Sequence, residues 1–235
     1  MQWQVALNND SFDRAGITKD CKDAVCEYIW NSFEAGASKV SVSMTGSPLR
    51  EAMSLVVADN GTGIAFDNLD RTFGTFLASL KNNATMRLKS QSNKGKGRFS
   101  YLSFSHSAEW RTVYRTDDKL MQYTISTNSA NRSQFDTTEP VDVADATETG
   151  TTVTFSLEDS NAVDLLSFGA MKQKLLEEFA WYLFLNKDKG YVLEYTGIPL
   201  DISEYIRTDL SRNCPYKIGN HDFSIDVVVW NSSVS

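Results

Sequence analysis

No stretch of this 235-residue sequence approaches the roughly 18 uninterrupted apolar residues of a membrane-spanning helix, so nothing in it reads as a span. The beginning, Met1-Gln2-Trp3-Gln4, has no basic segment leading into an apolar run and does not read as a secretory leader. There are only three cysteines, Cys21, Cys26 and Cys214, an odd number without zinc-type spacing. They fit free thiols in a reducing, cytoplasmic compartment better than a disulfide framework. Positive charge is in deficit, with 23 Lys and Arg against 30 Asp and Glu and a net charge of −7. Binding to a nucleic-acid backbone needs a basic patch, so DNA is disfavoured as a partner of this piece, though not of a longer protein or a local groove. Internal repeats and low-complexity tracts are absent as well. The apolar fraction of 41% supports a sizeable core, and the length fits one large domain, or one domain plus the beginning of another.

What the sequence does contain is organised around one helix, from about Thr18 to Ala35. The Thr18 hydroxyl is placed to cap its start, and Gly36 to end it in the left-handed conformation glycine tolerates. At about 100° per residue, Cys21, Ala24, Val25, Tyr28, Ile29 and Ser32 share one side, and Asp20, Asp23, Glu27, Asn31 and Glu34 form a stripe opposite. A solvated acidic face explains the carboxylates but not Asn31, because Asn favours caps and turns over helix interiors. One turn from Glu27, its amide oxygen and that carboxylate together suit a water and a hard cation such as Mg²⁺.

Farther along, Gln4 to Leu7, Lys39 to Met44 and Met53 to Ala58 read as strands, the last of them central. It runs directly into Asp59-Asn60-Gly61-Thr62-Gly63, whose spaced glycines allow a tight turn and close approach of the backbone to a ligand. Phe66 to Arg71 reads as a short helix, and the polar stretch from Lys81 to Lys94 as a mobile loop or lid. It ends in Lys94-Gly95-Lys96-Gly97-Arg98-Phe99, followed by a helix to about His106. Backbone N–H groups at such a helix start suit an anion, although no Gly-Lys-Ser/Thr follows as in a P-loop. Glu109 to Arg115 and Lys119 to Thr127 read as a hairpin, with a possible short strand near Phe135 and a further strand over Gly150 to Leu157. Asp164 to Leu185 reads as one long helix with a wide apolar face, and Tyr191 to Thr196 as another strand. Arg207 to Asn220 is polar and reads as a boundary before a strand from Asp222 to Trp230. This divides the chain into a domain over 1–210 and, over 211–235, a linker with the beginning of a further, transducer-like domain.

Three motifs standing in this order resemble the GHKL ATPase superfamily, which includes gyrase B, the heat-shock chaperones of that class, MutL, MORC proteins and sensor histidine kinases. The first resembles Glu-x-x-x-Asn-x-x-Asp-Ala-Gly-Ala and is carried by Glu27, Asn31, Glu34, Ala35, Gly36 and Ala37. The second resembles Asp-x-Gly-x-Gly and is carried by Asp59, Gly61 and Gly63; the third is a glycine-rich lid end at Gly95, Gly97, Arg98 and Phe99. Gly150-Thr151 resembles a fourth element, a Gly-Thr strand, and the likeness covers residues 18–157. It departs from the family at Glu34, where aspartate is usual, and in a short lid rich in Lys and Asn.

The resemblance implies an α+β, two-layer Bergerat-type fold with a mixed, mostly antiparallel sheet and helices on one face. It implies ATP and Mg²⁺ as ligands. Glu27 resembles the base that activates water, Asn31 the Mg²⁺ ligand, Asp59 the acceptor for the adenine amino group, and Thr151 a hydroxyl supporting that contact. Gly61 and Gly63 let the base approach the backbone. The amides around Gly95, Lys96, Gly97, Arg98 and Phe99 would cradle phosphates, with Lys94 and Lys96 as candidates for the γ-phosphate. Histidine kinases generally lack a carboxylate at the place of Glu27, so its presence favours hydrolysis. The activity implied is slow ATP hydrolysis that drives lid closure and homodimerisation of a longer protein with an undetermined client. Activity in the family commonly needs a lysine from a following domain, which leaves a nucleotide-gated binding scaffold, or a DNA-repair or chromatin-type clamp, as alternatives.

Overall fold

Alternation of apolar and polar residues builds a sheet with one buried face. The structure, a computed structural model, describes residues 2–4, 18–46, 53–69, 97–117, 119–132, 134–157, 160–207 and 209–231. The main strands are β1 (Gln2–Gln4), β2 (Lys39–Gly46), β3 (Met53–Asp59), β4 (Ser107–Thr116), β5 (Lys119–Asn128), β6 (Gln134–Thr137), β7 (Val141–Asp142), β8 (Gly150–Leu157), β9 (Val192–Tyr195) and β10 (Ile198–Pro199). They form one ten-stranded sheet in the order β1-β6-β5-β4-β8-β3-β2-β9-β10, with β7 paired to β5. The β2–β9 pairing is parallel and the others are antiparallel, so the sheet is mixed but mostly antiparallel. Among the described residues the first strand is Gln2–Gln4; Val5, Ala6 and Leu7, expected to form one with Gln4, lie outside them.

Val40, Val42, Leu55, Val57, Trp110, Tyr123, Ile125, Val153 and Phe155 point into the core. Their alternates Ser41, Ser43, Glu109, Arg111, Thr152 and Thr154 are half-buried or exposed. The period of two therefore puts a polar layer on the sheet's far side. The helices cover the near side. Helix α1 (Cys21–Glu34) lies on it with the Tyr28 ring 4.6 Å from that of Phe155, edge to face. The cap is Asp20, not Thr18: its carboxylate accepts from the backbone N–H groups of Lys22 and Asp23 at 2.8 and 3.1 Å. The Thr18 hydroxyl accepts only the N–H of Asp20. Gly36 follows the helix at φ +80°, as expected.

Of the stretch Asp164 to Leu185 expected as one long helix, Asp164 and Leu165 end a short helix, α2 (Ser160–Leu165), and the rest forms α3 (Phe168–Leu185). Ser167 breaks it with extended backbone, φ −62° and ψ 153°, and its hydroxyl donates to the Asp164 carbonyl. Helix α3 packs beside α1. Trp30 sits 4.8 Å from Phe179 and 5.2 Å from Tyr182, and its indole N–H donates to Glu178 Oε1 at 2.8 Å. Lys174 bridges to Asp23 and to Glu178. Cys26, Trp30 and Phe33, which lie outside the apolar face expected from periodicity, are buried this way. Each such aromatic side chain contributes about 1.5–3 kcal/mol on leaving water. Helix α1 is thus held from two sides, and its stripe of Asp23, Glu27, Asn31 and Glu34 stays partly open, as does Lys22.

The segment from Gly97 to Ser103 forms 3-10 turns, not an α-helix, and Phe66–Asn68 is likewise a 3-10 turn. The polar stretch from Arg207 to Asn220 contains a strand, β11 (Arg212–Ile218), which pairs with β12 (His221–Val227) in a separate two-stranded sheet. Pro215 is tolerated there because no further strand needs its missing N–H among the described residues. Tyr216, Ile218, Phe223, Ile225 and Val227 share one exposed face of this hairpin, while Asn213, Lys217, Asp222 and Asp226 pair on the other. Among the described residues no helix is long and apolar enough to cross a membrane.

Candidate functional site

The open stripe of α1 meets the carboxyl end of β3 on one side and the Gly97 turn on the other. At the β3 end, Asp59 is held at both oxygens. Its Oδ1 accepts from the N–H of Gly61 at 2.8 Å and of Thr151 at 3.2 Å, and its Oδ2 accepts from the Ser32 hydroxyl at 2.9 Å. Burial pushes the Asp59 carboxyl above the usual carboxylate range, and the three donors oppose that shift without cancelling it. The antiparallel β3–β8 register brings Asp59 beside Gly150 and Thr151. The Thr151 hydroxyl lies 3.1 Å from that of Thr112 on β4, which also accepts the N–H of Ile64 at 2.9 Å.

The turn after Asp59 is fastened by backbone and side-chain bonds. Asn60 Oδ1 accepts from the N–H groups of Ser38 and Lys39, both at 2.9 Å. Thr62 N–H donates to the Ala35 carbonyl just past α1, and Thr149 Oγ1 donates to the Gly61 carbonyl. Gly63 sits at φ +72°, and a Cβ there would lie 2.1 Å from the Val113 carbonyl oxygen. Gly63→Ala therefore combines a left-handed backbone with an overlap that no rotamer relieves. It is expected to cost roughly 2–4 kcal/mol of unfolding free energy, measured by denaturant titration; an unchanged midpoint refutes the packing described.

At the other end, Gly97 fits against the stripe. A Cβ on it would be 3.1 Å from Asn31 Nδ2 and 3.4 Å from Glu27 Oε2. The Tyr28 hydroxyl fastens this segment to the floor of α1, donating to the Arg98 carbonyl at 3.1 Å and accepting the Tyr101 N–H at 3.2 Å. The Arg98 guanidinium lies 4.7 Å from the centre of the Phe99 ring. Burial lowers its pKa to about 10, which leaves it charged at neutral pH. The Phe99 ring is fully buried against Phe135, so its side chain belongs to the core.

Of the residues singled out from the sequence, Glu27, Asn31 and Gly97 come together, and so do Asp59, Gly61 and Thr151, with Ser32 next to Asn31 linking the two groups. Lys94, Gly95 and Lys96 lie outside the described residues, as does the expected lid from Lys81. Ser32, Thr112 and Asn60 were not foreseen as parts of the site. Ser32 and Thr112 do carry a sequence signal: each is a hydroxyl residue at an inward position of an apolar pattern, where burial demands a partner. The cation expected at Asn31 fits the donors present. Mg²⁺ keeps most of its waters and needs one or two protein oxygens beside phosphates; Asn31 supplies an amide with the Glu27 carboxylate near it. Among the described residues, no three His, Cys, Asp or Glu side chains converge on a metal site.

A family model described as histidine kinase-, DNA gyrase B-, and HSP90-like ATPase matches residues 19–156. The matched stretch runs from just before the Asp20 cap into β8 and takes in both ends of the site. No curated protein matches the chain.

Proposed function

The chain belongs to the histidine kinase-, DNA gyrase B- and HSP90-like ATPase family, and we propose that this ATP-binding domain hydrolyses ATP slowly, with Mg²⁺, to drive closure of a lid and pairing of two copies of a longer protein. The observation that carries this reading is the opposition of Glu27 and Asn31 to Gly97, with the three-donor Asp59 held beside them through Ser32, the next residue of α1.

The purine would sit at the Asp59 end, its exocyclic amino group donating to the carboxylate and its ring against the turn that follows Asp59. The Thr151 hydroxyl supports that contact through its bond to Thr112. The triphosphate would extend toward the segment 94–99, where backbone N–H groups receive its oxygens. Asn31 would hold Mg²⁺, which when bound neutralises phosphate charge. Glu27 takes the proton of the attacking water as it bonds to the γ-phosphorus, and the ADP oxygen leaves with the bonding pair. Lys94 and Lys96 are the candidates for contact with the γ-phosphate, and residues 211–235 are assigned to a linker and the start of a transducer-like domain.

Calorimetric titration with ATP and a non-hydrolysable analogue, with and without Mg²⁺, tests binding, and phosphate release from a longer chain tests turnover. Mg²⁺-dependent uptake with slow release is expected, together with dimerisation in ATP seen by sedimentation. Uptake without release makes the domain a nucleotide-gated scaffold; no uptake at all overturns the reading.

A further inference from the structure

The β11–β12 hairpin stands apart from the core. Every residue of β12 is exposed, and Tyr216, Ile218, Phe223, Ile225 and Val227 present 39 to 58% of their surface to solvent. Its base is fixed. The Arg207 N–H donates to the Val229 carbonyl at 2.7 Å, Ile206 bridges to Trp230, and the Trp230 ring meets that of Trp181 on α3. A two-stranded hairpin on its own is marginal in water, so the uncovered apolar face calls for an occupant.

The two outer edges of the hairpin differ. Ile218 and His221 close a two-residue turn with Gly219 at φ +60°, and such a closing pair is hydrogen-bonded. Bonded and non-bonded pairs then alternate along the register. Tyr216–Phe223 and Cys214–Ile225 bond inward, whereas Pro215 and its opposite, Ser224, turn their backbone outward. Pro215 has no N–H to give and closes the β11 edge to a further strand. On β12 the outward groups belong to Asp222, Ser224 and Asp226, each with an N–H and a C=O.

The side chains at these outward positions lie on the polar face. Asp222 meets Lys217 in an exposed pair at 3.5 Å, which is worth little in water. Asp226 accepts from the neutral Asn213 amide at 2.8 Å. The β12 edge is thus acidic at two positions four residues apart. A second copy fits it poorly: paired along the whole of β12, Asp222 of each copy would stand opposite Asp226 of the other, like charge on like charge.

We propose that the outer edge of β12 receives an extended segment of a partner protein with the pattern basic, apolar, polar, apolar, basic. Paired antiparallel, its basic side chains stand opposite Asp222 and Asp226, and its central polar one opposite Ser224. Its two apolar side chains fall on the other face, beside Phe223 and Ile225, and widen the apolar layer. Main-chain bonds supply the affinity, and the alternating side chains select the partner. This surface does not involve the nucleotide site, so its test stands or fails apart from that of the proposed function.

The test titrates the whole chain, and a longer chain, with the peptide Gly-Lys-Val-Thr-Val-Lys-Gly by calorimetry, beside a counterpart with Glu in place of Lys. The basic peptide is expected to bind about tenfold more tightly, since two opposed charge pairs change sign, and the difference narrows as salt rises. Asp222→Lys with Asp226→Lys reverses the preference, and Asp222→Asn with Asp226→Asn removes it; melting curves check that both variants fold. N-methylation of the peptide separates strand addition from plain charge attraction. At the threonine it deletes a bond to Ser224 and weakens binding about tenfold. At either valine, whose N–H points away from β12, it changes affinity less than about twofold. Equal affinity for the two peptides, no binding, or no effect of methylation at the threonine overturns the inference. So does a longer chain that excludes the peptide because its own segment covers β12, or a dimer in sedimentation that Phe223→Ser abolishes.

Discussion

Asp59→Asn is expected to abolish adenine-nucleotide binding while leaving the fold as stable as the wild type or more so. The substitution suits the free protein. An asparagine oxygen accepts from the Gly61 and Thr151 amides as Oδ1 does now, and its NH₂ donates to Ser32, whose own proton turns to the Tyr28 carbonyl. The same NH₂ then faces the amino group of the purine, donor against donor. Loss of a charge-assisted bond and the added repulsion together reduce affinity by about two orders of magnitude or more.

The pH dependence has two signs. Burial raises the Asp59 carboxyl above its ordinary value, so its contribution to stability is present in acid and is lost as pH rises through the raised pKa. The wild type and Asp59→Asn should therefore converge in stability at low pH and separate as pH rises, with the variant on top. Nucleotide affinity needs the carboxylate and runs the other way, falling with pH through that same pKa. Denaturant midpoints and calorimetric affinities measured across an acid-to-neutral series check both; a variant that binds ATP normally removes Asp59 from the base site.

Glu27→Gln is expected to keep ATP affinity within about threefold and to reduce turnover by about 10²–10⁴-fold, the range typical of a lost general base. The amide preserves the size of the side chain that packs toward Gly97 but has no basic oxygen to take the proton from water. Phosphate release beside a binding isotherm on the same preparation separates the two effects. Unchanged release would mean that water is activated by another group, and the stripe of α1 would keep only a binding role.

The parts of this molecule that could be read from sequence were those in which one period governs many residues. The 100° repeat located α1, alternation located β2, with its one buried face, and the β4–β5 pair, and an apolar and a β-branched run located β3 and β8. Where a single residue decides the outcome, reading failed. Ser167 interrupts a continuous apolar run, Leu165-Leu166 before it and Phe168 after, so periodicity carried straight over a break set by one extended backbone. Thr18 and Asp20 both have capping chemistry, and only the actual path of the chain selects Asp20. In β11, Pro215 and the polar alternates concealed a strand whose only neighbour among the described residues is the next segment. The candidate site divided the same way. Glu27, Asn31, Asp59 and Gly97 were visible as spaced motifs, whereas Ser32 and Thr112 matter through contacts across 27 and 39 residues of chain.

The fastened turn after Asp59 has a further consequence for exchange with solvent. The amide hydrogens of Ser38, Lys39, Gly61, Thr62 and Ile64 are each donated within the protein. Their deuteration should be slow before any ligand arrives and change little afterwards. Binding on this side of the site then orders almost nothing, which spares the entropic cost of induced closure, and a ligand-dependent gain in protection should instead concentrate from Gly97 onward, on the other side of the site.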